Sequence, residues 1–356
     1  MKVLYIGKKI TNPVSGADQV NFRNQKLLEQ IVESGVDYFF EDSKGGIGKY
    51  CFGVSKSFID MLKHYLAANE YDCVFVSQSL YGRAVKFLKK KYPRILIMTF
   101  FHNIELDYAL KYLKTSGFRA LPFLCAVKIW EKETCLYSDV IITLNNRDSM
   151  LLDKIYNRKS DLELPTSFDD KFDECKAISV LNSNSLTIDY LFVGVAFFAN
   201  IQAVQWFIDE VLSFVPGQFY VIGKGMDSSL FNNLTDRVHI LGFVNDLSFY
   251  YYRAKVIVSP IKIGGGMKTK TAEALMYGKT ILGSQEAFEG YVENCQSMIV
   301  CKTSKDYISA IRNLSSNFNP HNECSREIYK NNYSNAIALA KLRTLFNLLK
   351  NGKTNV

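Results

Sequence analysis

The sequence contains no uninterrupted apolar run of about 18 residues, the length that a membrane-spanning helix requires. Its first apolar stretch, residues 1–7, is followed at once by Lys8 and Lys9 and is too short for the hydrophobic region of a signal peptide. We therefore expect a cytoplasmic protein, with the inner face of a membrane as a second possible location.

Paired cysteines are missing as well. The chain has eight cysteines, none of them in a Cys-x-x-Cys pair, and several lie within apolar segments. This spacing does not match a zinc site or a disulfide framework. We expect reduced core residues and no metal site. The eight positions are Cys51, Cys73, Cys125, Cys135, Cys175, Cys295, Cys301 and Cys324.

The composition is that of a globular protein, with 48% hydrophobic and 22% charged residues among 356. This length exceeds what one hydrophobic core usually serves, so two domains are expected. Apolar strands alternate with amphipathic helices, the pattern of a doubly wound α/β domain, and a polar stretch at residues 164–188 is typical of a domain junction. The predicted strands of the first half are residues 2–7, 37–40, 73–76, 95–100 and 140–143. The predicted helices are residues 21–34, 55–68, 82–91 and 106–137 (broken near Gly117 and Pro122), followed near the C-terminus by 306–314, 324–333 and 336–349.

The most informative segment is residues 259–278, where three glycines separate a strand from a helix. Residues 256–260 are short, apolar and β-branched, as in a buried parallel strand. Gly264, Gly265 and Gly266 lack the Cβ atoms that would keep a ligand away from the backbone. The helix that follows ends at Gly278, and its first N–H groups and positive dipole end face whatever lies over the glycines. The segment predicts a phosphate-binding loop.

Three charged residues extend this prediction to a nucleotide diphosphate. Lys268 and Lys270 stand in the first helical turn, where lysine opposes the helix dipole, so an anion is expected to offset them. Glu273 lies about one turn deeper and could accept hydrogen bonds from the hydroxyls of a ribose. The alternative is a mobile glycine turn before an ordinary surface helix.

Taken together, the motifs of this chain resemble the GT-B glycosyltransferases of the large retaining family 4, or group 1, which includes bacterial surface-polysaccharide transferases. The helix after the glycine loop resembles the family's Glu-Ala-hydrophobic-Met/Ala-x-Gly signature, whose glutamate contacts the donor ribose. The matching segments are residues 13–17, 101–105, 190–194, 200–207, 221–225, 238–244 and 273–278.

The resemblance implies an α/β GT-B fold, in which two facing Rossmann-like doubly wound domains leave a cleft between them. Residues 1–170 would bind the acceptor, 171–188 would be a linker or exposed loop, and 189–335 would bind the nucleotide sugar. Residues 336–356 would form a C-terminal helix that packs back on the first domain. Residues 286–291 would face the same cleft and contribute to sugar or acceptor recognition.

The implied reaction is a retaining sugar transfer that needs no obligatory protein nucleophile, because the leaving diphosphate can take the acceptor's proton. The protein would chiefly stabilise developing phosphate charge. The sequence has no Asp-x-Asp motif, the usual mark of a metal-held nucleotide sugar, so metal independence and no cofactor are predicted. The predicted catalytic residues are His102, Lys224 and Lys268. The predicted donor-binding residues are Gly16, Asn103, Phe243, Val244, Gly264, Gly265, Gly266, Met267, Lys270, Thr271 and Glu273, with Phe243 and Val244 at the base.

One position departs from the family pattern. Many members carry a second glutamate eight residues before the ribose glutamate, near the transferred sugar, and here that position is Gly265. Members of a subgroup with a Gly-Gly-Gly-x-Lys/Arg-x-Lys loop share this feature. It indicates a variant donor pocket. It also keeps open a non-catalytic partner subunit of another transferase, beside a third possibility, a nucleotide-sugar epimerase of the same fold.

Charge suggests where the acceptor is found. Residues 1–165 hold 24 Lys and Arg against 18 Asp and Glu, which accounts for most of the net charge of +8. Basic residues from Arg83 to Lys128 are interleaved with aromatic ones, as at an anionic membrane surface that carries a lipid-linked glycan. The alternative is a solvated charged face. Nucleic-acid binding is not expected, because no nucleic-acid motif appears.

Overall fold

The computed structural model describes residues 1–11, 13, 15–40, 54–183, 186–264, 266–314 and 319–352. Cys51 and Gly265 therefore lie outside the described residues. The chain divides into two compact units. The first contains Met1–Pro165 and the C-terminal segment that begins at Ala338, and the second contains Thr166–Ile337.

The described part of the first unit contains a six-stranded parallel sheet in the order β2-β1-β3-β4-β5-β6. Several of its strands are apolar and fully buried, as expected where helices cover both faces of a parallel sheet. The strands are β1 (Val3–Gly7), β2 (Val36–Phe40), β3 (Cys73–Val76), β4 (Leu96–Phe101), β5 (Val140–Thr143) and β6 (Leu162–Glu163). The helices are α1 (Gly16–Ile31), α2 (Lys56–Ala67), α3 (Gly82–Lys91), α4 (Glu105–Ser116), α5 (Leu121–Tyr137) and α6 (Asn146–Tyr156).

The second unit repeats this architecture with the strand order β12-β11-β10-β7-β8-β9 among its described residues. Its core is aromatic, and the ring of Phe207 packs between those of Tyr190 and Phe219. The strands are β7 (Ile188–Val193), β8 (Phe219–Ile222), β9 (Val238–Gly242), β10 (Ala254–Ser259), β11 (Ile281–Gly283) and β12 (Met298–Val300). The helices are α7 (Glu174–Asn182), α8 (Phe198–Glu210), α9 (Ser248–Arg253), α10 (Thr269–Met276), α11 (Ser304–Asn313) and α12 (Glu323–Ile328), and the chain ends in α13 (Asn335–Gly352).

Most predicted elements are present, and the differences have local causes. Helix α1 begins five residues earlier than predicted, because Ser15 and Asp18 form a capping box ahead of it. Helices α4 and α5 are separated at Gly117, which has a φ of 62°. The predicted linker or exposed loop at residues 171–188 is wrong in part, since it contains α7, which Asp173 caps. Helix α6 and strand β6 were not predicted.

The cysteines only partly follow the prediction. Cys73, Cys135 and Cys301 are buried, whereas Cys125, Cys175 and Cys295 are exposed. None of the cysteines in the described part of the chain is in a disulfide. Among the described residues, no helix is both long enough and apolar enough to cross a bilayer.

All strands of each sheet run parallel, so their carboxyl ends lie along one edge. In the second unit this edge carries Gly194 after β7, Gly223 after β8 and the glycine loop after β10. A Cβ on Gly223 would lie 1.8 Å from the carbonyl oxygen of Gly194, so the backbones approach too closely for any side chain. Open α/β sheets bind ligands at such an edge.

Candidate functional site

The candidate site is the start of helix α10, where the backbone is fixed from outside the helix. Gly266 has a φ of 60°, a conformation that suits glycine, and Lys268 is the extended N-cap residue. The hydroxyl of Tyr291 donates to the carbonyl oxygen of Lys268 at 2.7 Å and accepts from the N–H of Ala272 at 3.1 Å. The N-terminal end of α10 is therefore held in place by a phenol from the loop after β11.

The side chain of Lys268 folds over the glycine loop. Its Nζ donates to the carbonyl oxygen of Gly266 at 2.8 Å and forms an ion pair with Oε1 of Glu286 at 2.7 Å. A Cβ on Gly264 would lie 2.8 Å from Cε of Lys268, so glycine here makes room for the lysine as well as for a ligand. The anion expected to offset this charge is present within the protein itself, as Glu286.

Lys270 lies deeper, where it contacts β7 and α8. Its Nζ donates to Oδ1 of Asn200 at 2.8 Å and lies 4.1 Å from the centroid of the Phe192 ring. Burial, with a smaller contribution from the charge of Lys268, lowers the pKa of Lys270 to about 7. A Cβ on Gly194 would approach this Nζ to 2.8 Å, so a second glycine accommodates the ammonium group. Lys270 is thus a half-buried lysine with a lowered pKa rather than a solvated surface lysine.

Three other predicted donor residues lie on or beside α10. Burial raises the pKa of Glu273, although the hydroxyl of Tyr251 donates to its Oε2 at 3.0 Å and favours the ionised form. The hydroxyl of Thr271 donates to the carbonyl oxygen of Ala287 at 2.9 Å, which braces the helix against the loop after β11. Met267 is buried. Only Glu273 among them presents a charged group.

The remaining predicted residues of this unit follow β8 and β9. Lys224 is exposed, and its carbonyl oxygen accepts from the N–H of Ala196 at 2.9 Å. Phe243 is 70% exposed, which is unusual for a phenylalanine, and Val244 is half-buried. An exposed aromatic ring at the carboxyl edge of a sheet suits the stacking of a base.

In the first unit, His102 follows β4, and Asn103 comes next. Nε2 of His102 lies 3.1 Å from the carbonyl oxygen of Ser77 and 2.9 Å from Oδ1 of Asn21. A carbonyl oxygen only accepts, so Nε2 carries the proton. Burial lowers the pKa of His102 to about 4, so the ring is neutral at pH 7. Gly16 is the first residue of α1, after the Ser15 cap.

Glu131 braces the start of helix α4. It is fully buried, and its carboxylate accepts from the backbone N–H groups of Glu105 and Leu106 at 2.6 and 3.1 Å. The hydroxyl of Tyr156 donates to it at 2.8 Å. These N–H groups are the orphan donors at the start of α4.

Sequence reasoning missed the partners that orient the two lysines. Asn200, which holds Lys270, lay in a segment noted only for its strand and helix pattern. Tyr291 and Glu286 lay in a segment expected to face the ligand, but neither was paired with Lys268. Among the described residues, no cluster of three or more His, Cys, Asp or Glu side chains is placed to hold a metal ion.

The family model described as "Glycosyl transferases group 1" matches residues 187–317, which include the glycine loop and α10. No curated protein matches the chain in sequence.

Solved structures resemble the chain over nearly its whole length. Sucrose-phosphate synthase from Thermosynechococcus elongatus is 16% identical with a TM-score of 0.76, covering 99% of each chain. HepE of Anabaena, solved in complex with UDP, is 13% identical with a TM-score of 0.67, covering 98% of this chain and 100% of its own. The lipopolysaccharide outer core galactosyltransferase WaaB is 13% identical with a TM-score of 0.64, covering 96% and 98%. Likeness at these identities establishes the fold, and the predicted GT-B fold is confirmed.

Proposed function

We propose that this chain is a glycosyltransferase, because residues 187–317 match the family model of the group 1 glycosyl transferases and the fold is GT-B. It moves a sugar, with retention of configuration, from a nucleoside-diphosphate donor to a glycan or lipid-linked glycan in bacterial surface polysaccharide or glycoconjugate synthesis. The observation that carries the proposal is the start of α10, where a glycine loop, a helix N-terminus and Lys268 converge.

The start of α10 suits a diphosphate on electrostatic grounds. Its N–H groups and the positive end of its dipole attract anions, and Lys268 adds a full charge beside them. The donor's diphosphate gains negative charge as the sugar bond breaks, so the same groups stabilise the transition state more than the ground state. On binding, the diphosphate competes with Glu286 for Lys268.

Glu273 and Phe243 complete the donor site in this proposal. Tyr251 occupies one oxygen of the Glu273 carboxylate, and the other accepts from the ribose hydroxyls. The exposed ring of Phe243 stacks on the base, with Val244 beside it. HepE has been solved with UDP and with UDP-glucose, so uracil is the first base to test.

The neutral state of His102 limits the role proposed for it. With Nε2 donating to Ser77, only Nδ1 can contact a substrate, as an acceptor from a sugar hydroxyl. His102 therefore orients the sugar and does not deliver a proton. Gly16, Asn103 and Lys224 remain predicted contacts that alanine or larger substitutions can test.

Contact with an anionic membrane is proposed for the surface of α4 and α5. On α3, Lys86 and Lys89 form ion pairs with Glu133 and Asp139, and Arg83 lies 4.8 Å from the ring centroid of Trp130. These basic groups are already engaged within the protein. By contrast, the α4–α5 connection exposes 88% of Phe118. Neighbouring exposed residues are Arg119, Leu121, Lys128 and Ile129.

Vesicle flotation tests this assignment. Binding to phosphatidylglycerol vesicles should exceed binding to phosphatidylcholine vesicles, because the lysines and arginines need an anionic surface. The Phe118→Ser variant should bind less, and a Met61→Ser variant, which changes an exposed apolar residue on α2, should bind as the unmodified protein does. Equal binding by all three proteins would remove the membrane contact from the proposal.

Thermal unfolding with UDP, GDP, ADP, TDP and CMP, each with and without EDTA, tests the donor site. A ligand at about 100 times its dissociation constant adds roughly 2.7 kcal/mol to the free energy of unfolding. We expect stabilisation by one diphosphate, unchanged by EDTA. The Lys305→Ala variant, which removes an exposed lysine on α11, is the matched control for the Lys268→Ala variant. If none of the nucleotides stabilises the protein, the donor site is wrong.

A further inference from the structure

The first turn of α10 depends on a contact from outside the helix. Its N-cap residue, Lys268, carries an ammonium group, which cannot accept from the first N–H groups as the hydroxyl of Ser15 does at α1. The hydroxyl of Tyr291 stands between the carbonyl oxygen of Lys268 and the N–H of Ala272, two groups that bond each other directly in a regular α-helix. The position of the N-cap therefore depends on where Tyr291 lies.

Tyr291 belongs to the loop after β11, and Tyr333 holds this loop. The N–H of Val292 donates to the hydroxyl of Tyr333 at 2.8 Å, and the ring centroids of Tyr291 and Tyr333 are 4.8 Å apart. Both tyrosine side chains are buried, so the rings contact each other away from solvent. A displacement of Tyr333 would therefore reach the N-cap of α10 through one intervening residue, Tyr291.

Tyr333 is itself held in an unusual backbone. It is the last residue of a π-helical turn, Tyr329–Tyr333, which follows α12, and such turns are rare and are often found at functional sites. The carbonyl oxygen of Tyr333 accepts from the N–H of Phe168 at 3.1 Å. The hydroxyl of Tyr329 donates to the carbonyl oxygen of Phe168 at 2.8 Å. The segment around Phe168 thus fixes the turn from which the Tyr333 side chain reaches the loop.

We propose that Tyr333 is a positioning residue for the diphosphate site, which acts through Tyr291 and without contact to the ligand. The inference rests on the proposed function, since the group that Tyr333 positions is the start of α10. Tyr333 holds the loop that carries Tyr291, and Tyr291 sets where the N-cap backbone and the ammonium group of Lys268 lie. Residues without ligand contact can change binding by such a route.

Calorimetric titration with UDP, GDP, ADP and TDP, below the thermal midpoint of each variant, tests this role. Tyr333→Phe removes the acceptor of the Val292 N–H and should raise the dissociation constant of the nucleotide that binds about threefold to tenfold. Tyr329→Phe is the matched control from the same turn, because the carbonyl oxygen of Phe168 still accepts from the N–H of Asn335. The control should bind as the unmodified protein does. Equal weakening in both variants, or unchanged affinity in Tyr333→Phe, would overturn the proposal.

A double-mutant cycle tests the route through Tyr291. If Tyr333 acts through Tyr291, the variant that carries both Tyr291→Phe and Tyr333→Phe should bind the nucleotide no more weakly than Tyr291→Phe alone. The same titrations measure this. Additive losses of affinity would mean that the two residues act independently, and the route proposed here would be wrong.

Hydrogen exchange without any nucleotide separates failure of this proposal from failure of the donor site. The amide hydrogen of Ala272 is bound by Tyr291, so it should exchange faster in Tyr333→Phe and at the unmodified rate in Tyr329→Phe. If exchange is faster in Tyr333→Phe alone but no nucleotide stabilises the protein, the contact stands and the donor site is wrong. If a nucleotide stabilises the protein but Tyr333→Phe changes neither exchange nor affinity, the positioning role is wrong. If neither effect is seen, both assignments are wrong.

Discussion

Two helices that begin after sheet strands differ in whether a side chain of the protein accepts hydrogen bonds from their first N–H groups. At α4, after β4, the buried carboxylate of Glu131 accepts from two backbone N–H groups. At α10, after β10, the N-cap residue is Lys268, whose ammonium cannot accept a hydrogen bond. The loop in front of α10 contains three glycines, which carry no side chains. One helix end is closed by the protein's own anion, and the other is open to an anion from outside.

The difference separates a structural helix end from the one proposed to bind a ligand. A carboxylate buried at a helix N-terminus satisfies the orphan donors permanently, as at α4. The start of α10 has cations and room instead, and the nearest carboxylate, Glu286, pairs with the lysine rather than with the helix. Both helix starts lie at the carboxyl edge of a sheet, so what distinguishes the proposed diphosphate site is the charge of the residue at the helix start.

The largest effect should follow from removing the charge at α10. Lys268→Ala should lower kcat/KM about 10²- to 10³-fold, because a preorganised donor to the developing phosphate charge is lost. Initial rates with the stabilising donor and its acceptor measure this. Lys305→Ala should keep full activity. Undiminished turnover in Lys268→Ala would show that the start of α10 is as closed to substrate as that of α4.

Removing the internal anion at α4 should damage stability instead. Glu131→Ala leaves two backbone donors and the Tyr156 hydroxyl without their acceptor, so the free energy of unfolding should fall by about 3 kcal/mol. Urea unfolding measures the loss. Nucleotide affinity should not change. Glu131→Gln, which keeps an acceptor and the volume, should lose less, and an equal loss in both variants would mean that the charge itself holds the helix.

The carboxyl groups of Glu131 and of Glu105, the first residue of α4, predict a pH dependence of stability. Burial raises the pKa of Glu131 to about 7, and burial together with the charge of Glu131 raises that of Glu105 to about 8. The folded state then binds protons more tightly than the unfolded state, so stability should fall as the pH rises from about 5 to about 8. Urea unfolding across this range should show a shallower fall in Glu131→Gln.

Binding at α10 should be linked to a proton. The pKa of Lys270 is lowered to about 7, and a bound diphosphate would raise it again, so binding at pH 8 takes up a fraction of a proton. Affinity should therefore fall as the pH rises above about 7. Calorimetry in buffers of different ionisation enthalpy measures the uptake. It should vanish in Lys270→Met, and its persistence there would assign it to another group.

The smallest expected effect comes from the carboxylate that competes for Lys268. Glu286→Gln should raise the affinity for the stabilising nucleoside diphosphate about threefold, since the ligand no longer displaces an ion pair that is only partly exposed to solvent. Equilibrium titration with the diphosphate measures the gain. Weaker binding in this variant would mean that Glu286 positions Lys268 for the ligand instead of competing with it.

Local patterns predicted the strands, the glycine loop and the family. The buried strands are continuous apolar runs, and the glycines stand directly between a strand and a helix, so neither needed knowledge of distant contacts. The start of α1 was also local, because Ser15 and Asp18 have capping-box spacing, but that signal was overlooked.

The partners of the site lysines could not be predicted in this way. Glu286 lies 18 residues from Lys268, and Asn200 lies 70 residues from Lys270. Their contacts depend on the strand order, since β11 and β7 both flank β10. The same topology places Lys270 against α8 and β7, where partial burial lowers its pKa, and no short stretch of sequence contains these contacts.

Tyr291 holds the backbone of the proposed donor site in place. Its hydroxyl joins the carbonyl oxygen of Lys268 to the N–H of Ala272, and its ring lies 4.8 Å from that of Tyr333. The phenol of Tyr291 thus fixes the start of α10 relative to two segments that are distant from it in sequence, the loop after β11 and the segment around Tyr333. Without the hydroxyl oxygen of Tyr291, every ligand-binding group would still be present, but the groups would no longer be held in fixed positions. A pocket of the right composition would then hold its ligand in many poses instead of one.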